Sequence, residues 1–162
     1  MYSFQSARLQ SGQTKASLNG IAGTMKRSLK AVLIDDEHSV LSLIRQILER
    51  RGYAVQTFDD PVKSPLYAQP KCPCPFKGKC PDLVISDYRM SPVSGVELLG
   101  SSIKRGCQCR HYALISGTGF REPDLTKMAK YGTRFFLKPI DLDDFYPWLD
   151  RVEHEIAQRR PA

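Results

Sequence analysis

Residues 82–99 constrain the fold more than any other stretch, because they combine a short apolar strand, an acidic residue and the start of a helix. The expected strand is Leu83–Ser86, and it delivers Asp87 into a loop closed by Pro92 and Gly95. Asp87 therefore stands at the carboxyl end of a strand. In an open parallel sheet that edge binds ligands, because its loops leave a crevice between the helices on the two faces.

Apolar runs alternate with segments of helical periodicity along the rest of the chain. The run Lys30–Asp35 has no polar alternation, as expected for a strand buried on both faces. The expected strands are Lys30–Asp35, Tyr53–Phe58, Leu83–Ser86, His111–Ser116 and Arg134–Leu137. Five such strands alternating with five helices predict a doubly wound α/β fold with a parallel sheet.

Helix boundaries follow from local signals. The expected helices are one over Val40–Leu48 that ends at Gly52, a truncated one around Val62–Ala68, one from Ser94 to Arg105 with a capping box to Glu97, one from Pro123 to Tyr131 before Gly132, and a last one capped by Asp141. Pro147 lies inside the last helical pattern and predicts an irregular first turn or a later start.

The net charge of +7 is concentrated at the N-terminus. Residues 1–30 carry five basic and no acidic side chains, whereas the remainder holds 19 basic and 17 acidic ones. Residues 1–27 are also poor in large apolar residues, so they predict a disordered basic tail before a single folded domain over residues 28–160. A nucleic-acid-binding or membrane-binding arm is the alternative for this tail.

A membrane protein is not expected. No apolar run approaches the roughly 18 residues of a membrane span, and the N-terminus lacks the apolar stretch of a signal peptide. The sequence therefore predicts a cytoplasmic protein.

Four short motifs occur in a defined order along the chain: LIDDE, SDYRMSPVSG, LISG and FLKP. With them, residues from about Lys30 to Arg159 resemble the receiver domain of bacterial two-component response regulators. The resemblance implies a flavodoxin-like strand order 2-1-3-4-5, which composition alone would not select. In that order the ends of strands 1, 3, 4 and 5 converge.

The resemblance implies a phosphoacceptor rather than an enzyme, with Asp87 receiving a phosphoryl group from a sensor histidine kinase, a phosphotransfer protein or a small acyl phosphate. Several ionised carboxylates in one crevice repel one another, so a cation is needed to stabilise their charged forms. A site of oxygen ligands and waters suits Mg²⁺. The implied ligands are Asp36 and Asp87 directly, Asp35 directly or through water, and the backbone carbonyl of Arg89.

The remaining site residues are also implied by the resemblance. Lys138, whose bond to Pro139 is expected to be cis, would pair with the phosphoryl oxygens, and Ser116 would donate its hydroxyl to them after transfer. Phe135 stands where the family often has tyrosine and would change rotamer with Ser116. The surface of helix 4, strand 5 and helix 5 would then signal to a downstream protein or form a homodimer. We expect no attached DNA-binding or catalytic output domain.

The cysteines are not residues of this family. They flank the starts of strands 3 and 4, which should be neighbours about 4.8 Å apart. We expect them to meet at one corner of the sheet, far from Asp87, and to anchor a Cys/Pro-rich insert at residues 70–81. A closed zinc site is the first interpretation and an iron–sulfur cluster the second, with His111 able to replace one thiolate; free structural thiols and disulfide or redox pairs remain open. The candidates are Cys72, Cys74, Cys80, Cys107 and Cys109.

Two rival functions belong to other classes. An aspartate-nucleophile phosphohydrolase also attacks from a strand end, but it places a second aspartate two residues after the nucleophile, where this chain has Arg89. A metal- or redox-sensing module could instead use the receiver fold as a scaffold, and it would depend on the cysteines rather than on Asp87.

Overall fold

The computed structural model describes residues 28–68, 71–72, 76 and 79–159. The predicted N-terminal tail and six of the twelve residues of the predicted insert, Cys74 among them, lie outside the described residues. The strands are β1 Leu29–Ile34, β2 Tyr53–Phe58, β3 Leu83–Asp87, β4 His111–Ser116 and β5 Arg134–Leu137. The helices are α1 His38–Arg50, α2 Pro65–Ala68, α3 Gly95–Lys104, α4 Glu122–Ala129 and α5 Leu142–Arg159, and a 3₁₀ turn covers Pro61–Lys63.

The sheet confirms the predicted fold class and strand order. Its five strands run parallel in the order β2-β1-β3-β4-β5. Ile34 of β1 pairs with Ser86 of β3, and Asp87 pairs with Ile115 of β4. Ser116 of β4 pairs with Leu137 of β5. The carboxyl ends of these four strands therefore lie at one edge of the sheet.

Each face of the sheet is covered by its own hydrophobic cluster. Successive residues of a strand point to opposite faces, so Leu33 packs with residues of α1 and α5, whereas Ile34 packs with residues of α3 and α4. Phe145 of α5 and Met128 of α4 are fully buried in these two clusters. This two-sided burial explains why β1, β3 and β4 read as continuous apolar runs.

Helix α3 begins as the sequence predicts. The backbone N–H of Glu97 donates to Oγ of Ser94 at 3.2 Å, and the backbone N–H of Ser94 donates to Oε2 of Glu97 at 2.9 Å. Two otherwise unpaired donors are satisfied in this way. The reciprocal cap fixes the point at which the loop after Asp87 becomes helix.

Helix α5 differs from the prediction, because it runs from Leu142 through Pro147 without interruption. The backbone carbonyl of Asp141 accepts from the N–H of Phe145 at 2.9 Å, and its side chain accepts from the N–H of Asp143 at 2.9 Å. Pro147 removes one donor from the helix, but the buried Phe145 and Trp148 on either side of it hold the helix against the sheet. Packing therefore outweighs the local proline signal.

Among the described residues, we find no helix with both the length and the apolar character needed to cross a membrane.

Candidate functional site

The parallel register brings the polar strand ends together. Asp35 follows the Ile34–Ser86 pair directly, so it lies beside Asp87. Lys138 follows the last paired residue of β5, and its backbone N–H donates to the carbonyl of Ser116 at 2.8 Å. The peptide bond from Lys138 to Pro139 is cis. The sheet thus places residues from four strands around one crevice.

The ammonium group of Lys138 is the centre of this crevice. Its Nζ lies 2.7 Å from Oδ1 of Asp87, 3.0 Å from Oδ2 of Asp35 and 2.6 Å from Oε1 of Glu37. The Lys138 side chain is 13% exposed, and the side chains of Asp35 and Asp87 are 4% and 6% exposed. The pairs of Lys138 with Asp35 and Asp87 are thus largely buried, and salt screens buried ion pairs much less than exposed ones.

Burial controls the ionisation of both aspartates. Desolvation raises the pKa of Asp87 above its ordinary value, although Lys138 and the backbone N–H of Arg89 oppose the rise, and the charge of Asp36 adds to it. Desolvation also raises the pKa of Asp35, against the hydrogen bonds from the N–H of Glu37 and from Lys138. Both carboxylates would therefore ionise more easily beside additional positive charge.

The pKa of Lys138 is also raised, which for an ammonium group favours the charged form. Burial by itself would lower the pKa of this ammonium group, but its hydrogen bonds to Asp87, Glu37 and Asp35 together raise the pKa above the usual value. Lys138 is therefore a permanent cation in the site. The positive charge of Lys138 is accompanied in the site by four acidic side chains, those of Asp35, Asp36, Glu37 and Asp87.

The donor set fits a divalent cation. Oδ2 of Asp35 is buried and accepts no hydrogen bond, although it lies within ion-pair distance of Nζ of Lys138. Asp36 is exposed at the same strand end, and its charge acts on Asp87. Carboxylate oxygens with excess negative charge are the ligands that Mg²⁺ prefers. Asp35, Asp36, Asp87 and the backbone carbonyl of Arg89 are the residues available to hold it.

The position of Asp87 is fixed on two sides. Its Oδ2 accepts a hydrogen bond from the backbone N–H of Arg89 at 2.9 Å. A Cβ atom at Gly95 would lie 2.2 Å from the backbone oxygen of Asp87 and 2.8 Å from Cδ2 of Leu114. Only glycine allows α3 to start this close to the end of β3.

The hydroxyl of Ser116 is engaged by its own loop. Oγ donates to the carbonyl of Gly119 at 2.8 Å and accepts from the N–H of Thr118 at 3.2 Å. The next residue, Phe120, packs against Phe135 with ring centroids 5.0 Å apart. Ser116 and Phe135 are thus joined through the loop between β4 and α4.

Two contributors to this site were missed from the sequence. Glu37 was not singled out, although it is the third acidic residue after β1 and binds Lys138. A consecutive acidic run at a strand end was the available signal. The contact between Gly95 and the backbone of Asp87 had no sequence signal beyond the glycine itself, because it depends on how α3 returns to β3.

The four cysteines that the structure describes lie at the opposite edge of the sheet. The thiols of Cys72, Cys80 and Cys107 lie within 4.8 Å of one another. Burial and the neighbouring Cys72 raise the pKa of Cys107 to about 12. Cys109 is outside this group and donates its thiol to the carbonyl of His111 at 3.3 Å. His111 lies on β4 with Nδ1 3.9 Å from Oε2 of Glu155.

Comparison with known proteins is consistent with this geometry. A family model described as "Response regulator receiver domain" matches residues 31–149. The N-terminal domain of an uncharacterized protein from Wolinella succinogenes is similar at 20% identity and a TM-score of 0.67, covering 82% of this chain and 100% of that chain. A CheY-like receiver domain protein from Methanospirillum hungatei is similar at 19% identity and a TM-score of 0.59, covering 79% and 98%. A receiver domain protein from Clostridium thermocellum is similar at 21% identity and a TM-score of 0.63, covering 82% and 99%. At these identities the three structures support the fold.

Proposed function

Because this chain belongs to the response regulator receiver domain family, we propose that it is the phosphoacceptor of a two-component phosphorelay and that Asp87 takes the phosphoryl group. The observation that carries the proposal is the contact of Nζ of Lys138 with Oδ1 of Asp87 at 2.7 Å. It places a fixed cation beside a carboxylate at the ligand-binding edge of the sheet. The donor is a phosphohistidine on a sensor histidine kinase or on a phosphotransfer protein.

The transfer is a single displacement at phosphorus. A carboxylate oxygen of Asp87 forms a bond to phosphorus while the bond from phosphorus to the histidine nitrogen breaks. The nitrogen keeps the electron pair, so a phosphohistidine protonated on its other ring nitrogen leaves as neutral imidazole. Lys138 stabilises the negative charge that spreads over the transferring oxygens. The hydrogen bond from the N–H of Arg89 holds the carboxylate in place during the attack.

The same residues support a magnesium requirement. Asp36, Asp87 and the carbonyl of Arg89 would hold Mg²⁺ directly, and Asp35 directly or through water. When bound, Mg²⁺ neutralises negative charge on the phosphoryl oxygens. Oδ2 of Asp35 is buried and accepts no hydrogen bond, although it lies 3.0 Å from Nζ of Lys138, and acidic side chains outnumber this lysine; both observations support the assignment.

The proposed switch begins at Ser116. To donate to a phosphoryl group on Asp87, the hydroxyl must leave the carbonyl of Gly119. That change frees the β4–α4 loop, and Phe120 in this loop packs on Phe135. Phosphorylation would therefore bias two arrangements of the same aromatic pair.

The output surface is proposed to be α4, β5 and α5. Large hydrophobic side chains are exposed on or next to these elements, including Tyr131, Leu137 and Tyr146, and Leu137 is 59% exposed. Where exposed apolar side chains group on one surface, a binding partner can cover them. A downstream protein or a second copy of this chain would bind there.

A direct experiment tests the phosphoacceptor. Purified protein is incubated with acetyl phosphate and Mg²⁺ and analysed by mass spectrometry. The wild type is expected to gain one phosphoryl group, and Asp87→Asn is expected to gain none. Glu49→Gln is the matched control, because Glu49 is an exposed carboxylate paired with Arg45 near the C-terminal end of α1. No gain in the wild type, or an equal gain in Asp87→Asn, would overturn the proposal.

The second candidate, a metal- or redox-sensing module, is favoured by the grouping of Cys72, Cys80 and Cys107. It predicts that binding of a downstream partner survives Asp87→Asn and is lost on cysteine substitution. The phosphorelay predicts the reverse.

A further inference from the structure

Three cysteine thiols from separate parts of the chain meet at the amino edge of the sheet. Cys72 follows α2, Cys80 precedes β3 and Cys107 follows α3. Their sulfur atoms all lie within 4.8 Å of one another, and all three residues are half-buried. Leu83 and His111 begin paired strands. The segment before β3 and the loop before β4 therefore converge at this edge and bring the three thiols together.

The sulfur spacing suits a shared metal ion. Zinc–thiolate bonds of about 2.3 Å in a tetrahedron place sulfur atoms about 3.8 Å apart. The Sγ atoms of Cys72 and Cys80 are 3.4 Å apart and the other pairs lie within 4.8 Å, so the observed separations are compatible with that value. A disulfide bond would require about 2.05 Å.

Backbone contacts hold the three cysteines in this arrangement. The N–H of Cys72 donates to the carbonyl of Arg105 at 3.1 Å, and the N–H of Cys107 donates to the carbonyl of Ser102 at 3.1 Å. The N–H of Gln108 donates to Sγ of Cys80 at 3.4 Å. An N–H aimed at sulfur favours the thiolate form that binds metal.

Arg105 ties the preceding segment to the same corner. Its guanidinium group donates to the backbone carbonyls of Leu66 and Tyr67. The carbonyl that accepts from Cys72 belongs to this same residue. The end of α3 therefore positions both the α2 segment and one of the thiols.

We propose that Cys72, Cys80 and Cys107 supply three of the four ligands of a structural zinc site. Zinc in this position joins the segment before β3 to the loop between α3 and β4. The site lies at the starts of the strands and Asp87 lies at the end of β3, which are separated by about 13 Å along the strand. Zinc therefore stabilises the fold and takes no part in phosphoryl transfer.

Metal content gives the first test. Full-length protein is prepared anaerobically with a non-chelating reductant, and its metals are measured by mass spectrometry. About one zinc ion per chain is expected. The metal-free protein is then titrated with Co²⁺, which should give the thiolate-to-cobalt charge-transfer and visible bands of a tetrahedral thiolate site.

Alanine variants test the ligand assignment. Cys72→Ala, Cys80→Ala and Cys107→Ala are each expected to lower the cobalt affinity at least about tenfold, which corresponds to 1.4 kcal/mol. Cys109→Ala is the matched control, because the thiol of Cys109 donates to His111 instead. It is expected to keep the metal, and circular dichroism of each variant establishes that it is folded.

Several outcomes would overturn the zinc site. Anaerobic protein without bound metal would do so, as would iron with acid-labile sulfide, which would identify a cluster. A Cys72–Cys80 disulfide in protein prepared with reductant would also exclude it. Equal metal loss in folded Cys109→Ala would remove the ligand assignment.

Discussion

Nζ of Lys138 lies 2.7 Å from Oδ1 of Asp87 and thereby connects the edge strand β5 to the central strand β3. The strand between them, β4, ends at Ser116, which pairs with Leu137. The Lys138 side chain therefore extends across the end of β4 to contact Asp87. A cation, a carboxylate and a hydroxyl are consequently held by three adjacent strands. The rigidity of the sheet is what positions them.

Replacing Lys138 with alanine is expected to slow phosphorylation of Asp87 by about 10²-fold, because the transferring oxygens lose a fixed positive charge. The affinity for Mg²⁺ is expected to rise, because the ammonium group no longer competes for Asp35 and Asp87. Rates are measured by mass spectrometry with acetyl phosphate, and affinity is measured by calorimetry. Lys63→Ala, at an exposed pair, is the control. An unchanged rate in Lys138→Ala would contradict this role.

Replacing Ser116 with alanine is expected to preserve phosphorylation while uncoupling the loop after β4. In the wild type, phosphorylation should shift the amide resonances of residues 117–120, because the hydroxyl leaves Gly119. Those shifts should become much smaller in Ser116→Ala, and Ser116→Thr should restore them. Two-dimensional NMR spectra of each protein with and without acetyl phosphate make the comparison. Full-sized shifts in the alanine variant would show that the hydroxyl does not drive the loop.

Gly95→Ala is expected to disturb both stability and the position of Asp87. The new Cβ atom would lie 2.2 Å from the Asp87 carbonyl oxygen, so β3 or α3 must move. Overpacking of this kind costs roughly 1–3 kcal/mol in the free energy of unfolding. Urea denaturation measures the loss, and the acetyl phosphate reaction should also slow.

Gly100→Ala in the same helix supplies the contrast. Its Cβ would come no closer than 3.8 Å to Lys127, so no atom has to move. Alanine is favoured over glycine inside a helix by roughly 0.5–1 kcal/mol, and this variant should be slightly more stable than the wild type. Equal effects of the two substitutions would refute the close approach at Gly95.

Stability should fall in mild acid because of His111. Burial lowers the pKa of this imidazole; Arg159 and Arg110 act in the same direction, and Glu155 and Asp82 oppose them. The folded state then binds the proton less tightly than the unfolded state, whose pKa is about 6.5. The contribution is complete above that pH and is lost as the pH falls through the lower folded-state value.

The comparison of wild type with His111→Leu isolates this effect. Urea denaturation at pH 7.5 and pH 5.5 gives the change in free energy of unfolding for each protein. The buried Asp35 and Asp87, whose pKa values are raised, contribute with the opposite sign in both proteins and cancel in the difference. The leucine variant should lose less stability on acidification. An equal loss would show that His111 ionises as freely in the fold as in the unfolded chain.

The sequence predicted the elements well where neighbouring residues determine them. The capping box at Ser94, the positive-φ Gly132 after α4 and the cap at Asp141 all follow from hydrogen bonds or backbone torsions within one turn. Pro147 led to a wrong prediction for the start of the last helix, because only its local effect could be judged from the sequence. Its local effect is real, but the packing of distant strands on Phe145 and Trp148 decides the helix.

The sequence by itself determined that strands alternate with helices and that Asp35, Asp87, Ser116 and Lys138 stand at strand ends, because both follow from the periodicity of apolar residues. Only the tertiary structure decided that Lys138 contacts Asp87, that Glu37 joins them and that Cys107 rather than Cys109 lies with Cys72 and Cys80. Those choices depend on strand register and loop packing. Register is a hydrogen-bonding relationship between chain-distant segments, so it is decided only when the strands pair in the folded sheet.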